Sequence, residues 1–178
     1  MIVGLVAAKN NSNRFPEKNK FIYNNKPLFW HSVEPLLHSS LIDDVYVITD
    51  STEIQDYCKL NNVKTIWRPK NATRNDDKLI NILRYAYYSL DIDYDIVVSI
   101  MANCPGNYSS NIEKGINLIK NNNIKEVRSF DKNGIENGVM ILDKEVIQDN
   151  RDISYYLGSI QTNAKEIHYK NELEGKTL

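Results

Sequence analysis

Cysteine is scarce in this sequence. There are 2 in 178 residues, Cys58 and Cys104, far apart and in no paired spacing. That argues against a disulfide framework and for a reducing compartment. An excess of charge is also missing. Lys and Arg number 22 and Asp and Glu 23, a net charge of -1. A general nucleic-acid binder would carry a strong basic surplus, so no nucleic-acid partner is expected. No apolar run approaches the ~20 residues needed to cross a bilayer, so no membrane partner is expected either. The start of the chain lacks the basic and long apolar segments of a signal peptide, and a cytoplasmic protein is the expectation. Internal repeats, low-complexity linkers and composition breaks are absent. Residues 1–178 therefore read as one domain, and the 42% hydrophobic content is enough for a real core.

What is present begins with the first twenty residues. The apolar run Ile2 to Ala8 stops abruptly and is followed by a polar stretch, Lys9 to Lys20, rich in cations and amides. A short apolar run bounded by turn signals reads as a buried strand. In an open α/β sheet, ligands bind where the carboxyl ends of strands empty into loops. The chain thus delivers Lys9, Ser12, Arg14 and Lys18 to the expected ligand site. Cations there suit an anion, most naturally a phosphate chain.

The rest alternates. Strands are expected at 45–49, 63–67, 95–100, 125–130 and 138–142, with one more within 159–169. Helices are expected from Lys26-Pro27 onward, with Pro27 in the first turn and Pro35 as a bend or break. Further helices are expected at 53–60, 77–90, 109–122 (capped by Ser109 or Ser110) and 143–149. The continuous apolar run Ile96 to Ile100 suits a central strand of a parallel sheet. Strands alternating with helices define an α/β class, a three-layer α/β/α sandwich with a mostly parallel, Rossmann-like sheet.

Several pieces then fall into a familiar order. Residues 6–19, VAAKNNSNRFPEKN, resemble the N-terminal signature of the acylneuraminate cytidylyltransferases, the CMP-sialic acid synthetase family. Ala8, Ser12, Pro16, Lys18 and Asn19 match, and Lys9 stands where the family has arginine. Asn25-Lys26-Pro27-Leu28 is similar to its Gly-Lys-Pro-Leu, and VYVITDS at 45–51 to its strand ending in Ser-Thr-Asp-Ser. Arg68-Pro69 with Asp76, IMANCP at 100–105, and Asn137 to Ile141 resemble later family segments. Together they cover about residues 2–142.

The resemblance implies a nucleotide-diphospho-sugar transferase-like fold. It implies a reaction in which CTP and an acidic sugar give a CMP-sugar and pyrophosphate. Cations must then neutralise charge developing on the phosphates, and Lys9 and Lys18 are the candidate catalytic residues. Ala8, Lys9, Asn11, Ser12, Lys18, Asn19, Arg68 and Asn103 are the candidate nucleotide-binding residues. Arg68 and Asn103 would contact the nucleoside. Asp50 is either pocket floor or helix cap. The family's magnesium ion is implied as cofactor, and its Asp-x-Asp-like stretch corresponds here to Glu166-Ile167-His168-Tyr169. Glu166 is the candidate metal ligand, and a neutral imidazole at His168 is a poorer partner for magnesium.

Three departures from the family pattern stand out. Asn10 and Asn11 replace its paired glycines. The carboxylate pair of its metal stretch is replaced by Glu166 and His168. Its long insertion, which supplies a dimerisation arm, is reduced to the hairpin-length Asp131 to Glu136, so the oligomeric state stays open. Two other readings remain at this point: a glycosyltransferase-like protein that binds a finished nucleotide sugar, and a nucleotide-binding relative without turnover. Cys104, next to Pro105, reads as a small packed residue. His31 and His38 read as packing or surface groups, and Tyr85, Tyr87 and Tyr88 as core and interface residues.

Overall fold

The computed structural model describes residues 1–68, 78–149 and 157–173. β1 (Ile2–Ala7) lies inside the sheet and is buried along most of its length. β1 is flanked in parallel by β4 (Asp44–Thr49) and β6 (Ile96–Ile100), and β5 (Lys64–Trp67) pairs in parallel with β4. On the far side of β6, β8 (Glu136–Asp143) runs antiparallel, and β7 (Glu126–Phe130) and β9 (Leu157–Gln161) follow. The sheet order is β5-β4-β1-β6-β8-β7-β9. Among the described residues, only β8 opposes the other six strands of this sheet.

Alternation along the strands sorts the core into two layers. Ile2, Val6, Val47, Val98 and Ile141 face one way. There they meet α1 (Trp30–Leu37), α2 (Thr52–Leu60) and α4 (Ser109–Asn121). Val3, Leu5, Ile48, Val97 and Leu142 face the other way, against α3 (Leu79–Tyr88) and α5 (Lys144–Gln148). This is the three-layer sandwich expected from the sequence. Helix α4 lies very close to the sheet at Gly115, where a Cβ would come within 2.4 Å of the Ile141 side chain.

Local chemistry sets the element ends. Ser51, not Asp50, caps α2, its hydroxyl accepting from the Ile54 N–H at 3.4 Å. Asp143 caps α5 through the Glu145 N–H at 2.9 Å. The expectation of a serine cap on α4 is corrected. Ser109 and Ser110 lie inside the first turn, and Tyr108 occupies the cap position with no side-chain bond.

A second correction concerns Lys26-Pro27. These residues form β3 (Lys26–Pro27), paired antiparallel with β2 (Ile22–Tyr23), and the helix starts only at Trp30. The turn between them, Asn24 and Asn25, has φ of 45° and 65° at its two central positions. That is the primed two-residue hairpin geometry, which asparagine tolerates. Pro35 does sit inside α1, which ends two residues later at Leu37.

The Asp131 to Glu136 connection is a tight hairpin loop, as expected. The Asp131 carboxylate accepts from the Asn133 and Ile135 N–H groups at 2.8 and 2.9 Å, and Gly134 takes φ of 77°. The Arg68-Pro69…Asp76 segment can be followed only to Arg68, because Pro69 and Asp76 lie outside the described residues. Among the described residues, no helix is long and apolar enough to cross a membrane.

Candidate functional site

The chain reverses its direction of winding between β1 and β6. A crevice opens there at the carboxyl edge of a doubly wound sheet. In this molecule it is a cleft of about 280 Å³. Its walls come from four places: the loop after β1 (Lys9, Ser12, Arg14, Lys18, Asn19), the end of β5 (Arg68), the loop after β6 (Met101, Ala102, Asn103), and a late strap (Glu166, His168). Leu79 and Ile82 of α3 add an apolar side.

Two hydrogen bonds hold the opening loop in shape. Asn19 is buried and its amide donates to the Lys9 carbonyl at 2.8 Å, bending the loop back on itself. Asp50, at the end of β4, accepts from the Asn10 N–H at 2.6 Å. Asp50 is thus neither a helix cap nor a cleft-lining group but a tether for the loop. Phe15 drops into a small apolar cluster with Tyr23, Leu28, Ile167 and Leu173, which anchors the loop's other arm.

The strap is fastened by its backbone. The Ile167 N–H donates to the Asn103 carbonyl at 2.8 Å, and the Asn103 amide returns a bond to the Ile167 carbonyl at 2.8 Å. The Lys18 ammonium donates to that same carbonyl at 2.9 Å. Burial of the Ile167 side chain adds roughly 1.5–3 kcal/mol of apolar stabilisation. Each backbone bond contributes about 1 kcal/mol net. Together these outweigh the single exposed ion pairs nearby, each worth about 0–1 kcal/mol.

Electrostatically the cleft is a cation cluster with one acidic wall. Burial lowers the Lys18 pKa from its ordinary value; the Glu166 carboxylate opposes this, while Arg14 and Lys9 add to it. An anion placed among Lys9, Arg14 and Lys18 would relieve their repulsion and favour the charged ammonium. The Asn103 amide also donates to Glu166 Oε1 at 3.2 Å. His168 Nε2 stands 3.5 Å from Glu166 Oε2.

Of the residues expected from the sequence, Lys9, Ser12, Lys18, Asn19, Arg68, Asn103 and Glu166 all line this cleft. Two others do not. Ala8 is fully buried in the helical core, and its N–H donates to the Ile48 carbonyl at 2.9 Å. Its neighbour Ala7 faces the cleft instead. Asn11 is exposed and stands away from the lining. Arg14, Met101, Ala102, Leu79, Ile82 and His168 complete the wall. Of these, Arg14 and His168 were visible in the basic loop and the late Glu-x-His stretch. Met101 and Ala102 lie in the 100–105 stretch that carries the resemblance, whereas Leu79 and Ile82 carry no sequence signal for a site.

The other sequence candidates fall outside the cleft. Cys104 is fully buried, its thiol is pushed up by burial, and it packs against Gly138. Gly138 has φ of 94°, and a Cβ there would lie 2.4 Å from the Cys104 sulfur, so glycine is required. His31 Nε2 meets the Tyr23 carbonyl at 2.7 Å, a packing role. Tyr87 is buried in the core, and Tyr85 donates to the Trp67 carbonyl at 3.1 Å.

Such a fold, with a basic loop at the switch point, defines a nucleotidyltransferase-type Rossmann-like protein. The comparisons narrow the class. A family model described as cytidylyltransferase matches residues 3–174, and the chain belongs to that family. It is 27% identical over 126 residues to the 3-deoxy-manno-octulosonate cytidylyltransferase of Flavobacterium johnsoniae, covering 71% of this chain and 49% of that protein. It is 25% identical over 123 residues to the CMP-N,N'-diacetyllegionaminic acid synthase of Legionella pneumophila, covering 67% and 53%. The chain spans about half the length of the curated relatives it matches. Among solved structures, a CMP:2-keto-3-deoxy-manno-octonic acid synthetase complexed with CTP superposes with a TM-score of 0.79 at 14% identity, over 97% of this chain and 95% of that one. A cytidylyltransferase from Leptospira borgpetersenii gives 0.66 at 21% identity, over 83% and 62%.

Proposed function

We propose that this protein binds CTP in the cleft between β1 and β6 and transfers its cytidylyl group to a hydroxyl of an acidic sugar. The sugar oxygen attacks the α-phosphorus, and the bond from that phosphorus to the β-phosphate oxygen breaks. Pyrophosphate leaves with the electron pair, and the sugar hydroxyl gives up its proton. The observation that carries this reading is the gathering of Lys9, Arg14 and Lys18 around one cleft at the carboxyl edge of the sheet.

Each group has a task in that reaction. Lys9 and Lys18 would lie against the triphosphate as point charges and offset charge as pyrophosphate forms. Arg14 would add a forked donor. Ser12 would donate a hydroxyl, and Asn19 keeps the loop shaped for it. Asn103, after β6, and Arg68, after β5, would meet the nucleoside. The apolar side made by Leu79 and Ile82 would exclude water from the base.

The donor set fits a divalent ion held mainly by the ligand. Among the described residues, no group of three or more His, Cys, Asp or Glu is gathered as a protein cage. Glu166 brings one carboxylate to the cleft. One carboxylate with phosphate oxygens and water is a common way to hold magnesium. Glu166 would hold it, and the ion would neutralise triphosphate charge.

The sugar is proposed at class level only: a keto sugar acid of the kind named for the relatives. The test is nucleotide-induced stabilisation. CTP with a divalent ion should raise the melting temperature more than ATP, GTP or UTP, since ligand at a hundred times its Kd adds about 2.7 kcal/mol. Lys18→Ala should remove the effect. Pyrophosphate release across a panel of sugar acids then identifies the acceptor. If no nucleotide shifts the melting temperature at millimolar concentration, the reading fails. Stronger stabilisation by a nucleotide-diphosphate sugar would move it to glycosyl transfer.

A further inference from the structure

The acidic wall of the cleft is a mixed pair. Glu166 and His168 both line it, and neither is deeply buried: their side chains are 29% and 34% exposed. The Asn103 amide holds one carboxylate oxygen, Oε1, at 3.2 Å. The other, Oε2, faces His168 Nε2 at 3.5 Å. That separation is too long for a hydrogen bond between them. Two donor atoms therefore stand across a short gap, in the cleft that Lys9 and Lys18 also line.

The geometry points to a divalent-cation site shared by Glu166 Oε2 and His168 Nε2, one whose nitrogen ligand selects a first-row transition ion such as Mn²⁺ over Mg²⁺. An ion about 2.0–2.2 Å from each of two donors at a right angle spaces them roughly 3 Å apart. The observed 3.5 Å needs a closure of a few tenths of an ångström. The backbone on either side is fixed, because the Ile167 N–H is bonded to Asn103 and the His168 N–H donates to the Glu172 carboxylate at 2.8 Å. The two side chains thus project from a held strap.

The selectivity follows from the donor types. Magnesium demands oxygen ligands in near-ideal octahedral geometry and dehydrates reluctantly. An imidazole nitrogen suits transition ions, and affinity for them rises along the first row. Two protein donors leave four positions of an octahedron for phosphate oxygens and water. The assignment rests on the cleft being the nucleotide site, and it replaces the single-carboxylate mode with a two-donor one.

The experiment uses the full chain with Mn²⁺ alone, then with CTP added. Pulsed electron paramagnetic resonance should detect a directly coordinated ¹⁴N in the wild type. His168→Ala should lose that signal and weaken Mn²⁺ binding by at least about tenfold, the loss that follows removal of even a supporting partner of a metal ligand. His31→Ala should keep it. His168→Asp should lose the nitrogen signal and let Mg²⁺ compete better against Mn²⁺. Melting temperatures without metal should stay near wild type for all variants, since His168 is partly exposed. Bound Mn²⁺ without a nitrogen coupling, or an unchanged affinity in His168→Ala, would overturn the inference, as would no binding of Mn²⁺ at millimolar concentration. CTP binding is measured separately by calorimetry with excess Mg²⁺ in place of Mn²⁺. Its loss would sink the nucleotide reading while the nitrogen signal still decides this one.

Discussion

The Lys18 ammonium donates to the Ile167 carbonyl at 2.9 Å, joining residues 149 positions apart across the mouth of the cleft. A cation expected to hold a ligand is thus also the clasp for the strap that carries Glu166 and His168. Loop and strap form one unit, and its apolar anchor is the cluster around Ile167.

Shortening that anchor should be costly. Ile167→Ala removes buried methyl groups from the contact with Phe15 and Leu28, and about 2–5 kcal/mol of stability is expected to go with them. Nucleotide affinity should fall as well, although Ile167 does not line the cleft. Chemical unfolding and CTP calorimetry on the same variant check both. Full CTP affinity in a destabilised variant would show that the strap is not part of the site.

The two tethers of the opening loop should matter without contributing any cation. Asn19→Ala leaves the Lys9 carbonyl without its partner, and Asp50→Ala leaves the Asn10 N–H without its acceptor. Each is expected to cost about 1–3 kcal/mol of stability. CTP binding should weaken several-fold in each, and Asp50→Asn, which keeps an acceptor oxygen, should recover part of it. Isothermal titration of the three variants is the measurement.

Much of this arrangement was legible in the residues, for physical reasons. The strands announced themselves because buried parallel strands are continuous apolar runs. The loop after β1 announced itself because it follows such a run with a cluster of cations. The hairpin of β2 and β3 did not. Pro27 ahead of an apolar stretch looks like a helix start, although Asn24-Asn25 is a pair that tolerates the turn observed there. The apolar wall formed by Leu79 and Ile82 had no signal, since only tertiary packing brings it to the cleft. Ala8 was expected at the nucleotide from its place in the resemblance, but strand alternation buries its side chain and puts Ala7, one residue earlier, on the open side.

Acid should loosen the strap before the core. The Glu172 carboxylate accepts from the His168 and Tyr169 N–H groups, both at 2.8 Å, and these bonds hold its pKa at about 2, below the ordinary 4.5. A depressed carboxylate adds stability that is full above the unfolded value and fades as pH falls from 4.5 towards 2. Unfolding midpoints taken between pH 6 and 3 should drop more steeply in the wild type than in Glu172→Gln. Parallel slopes would rule out this carboxylate as a source of the acid sensitivity.

Neither cysteine should behave as a nucleophile. Cys58 and Cys104 are fully buried, and burial pushes the Cys58 thiol up to about 12 and the Cys104 thiol up as well. At pH 8 a disulfide reagent should react with neither in the native protein and with both after denaturation. Rapid labelling of Cys104 in the folded state would contradict its packed position.

The bond between Lys18 and Ile167 has a consequence for the order of events during synthesis. The basic loop leaves the ribosome well before the strap that forms its opposite side. Until the strap arrives, the loop's cations have no lid and Phe15 has only part of its apolar nest. A contact spanning 149 residues carries a large loop-closure cost and forms late. Acquisition of nucleotide binding would therefore mark the moment at which this chain finishes folding.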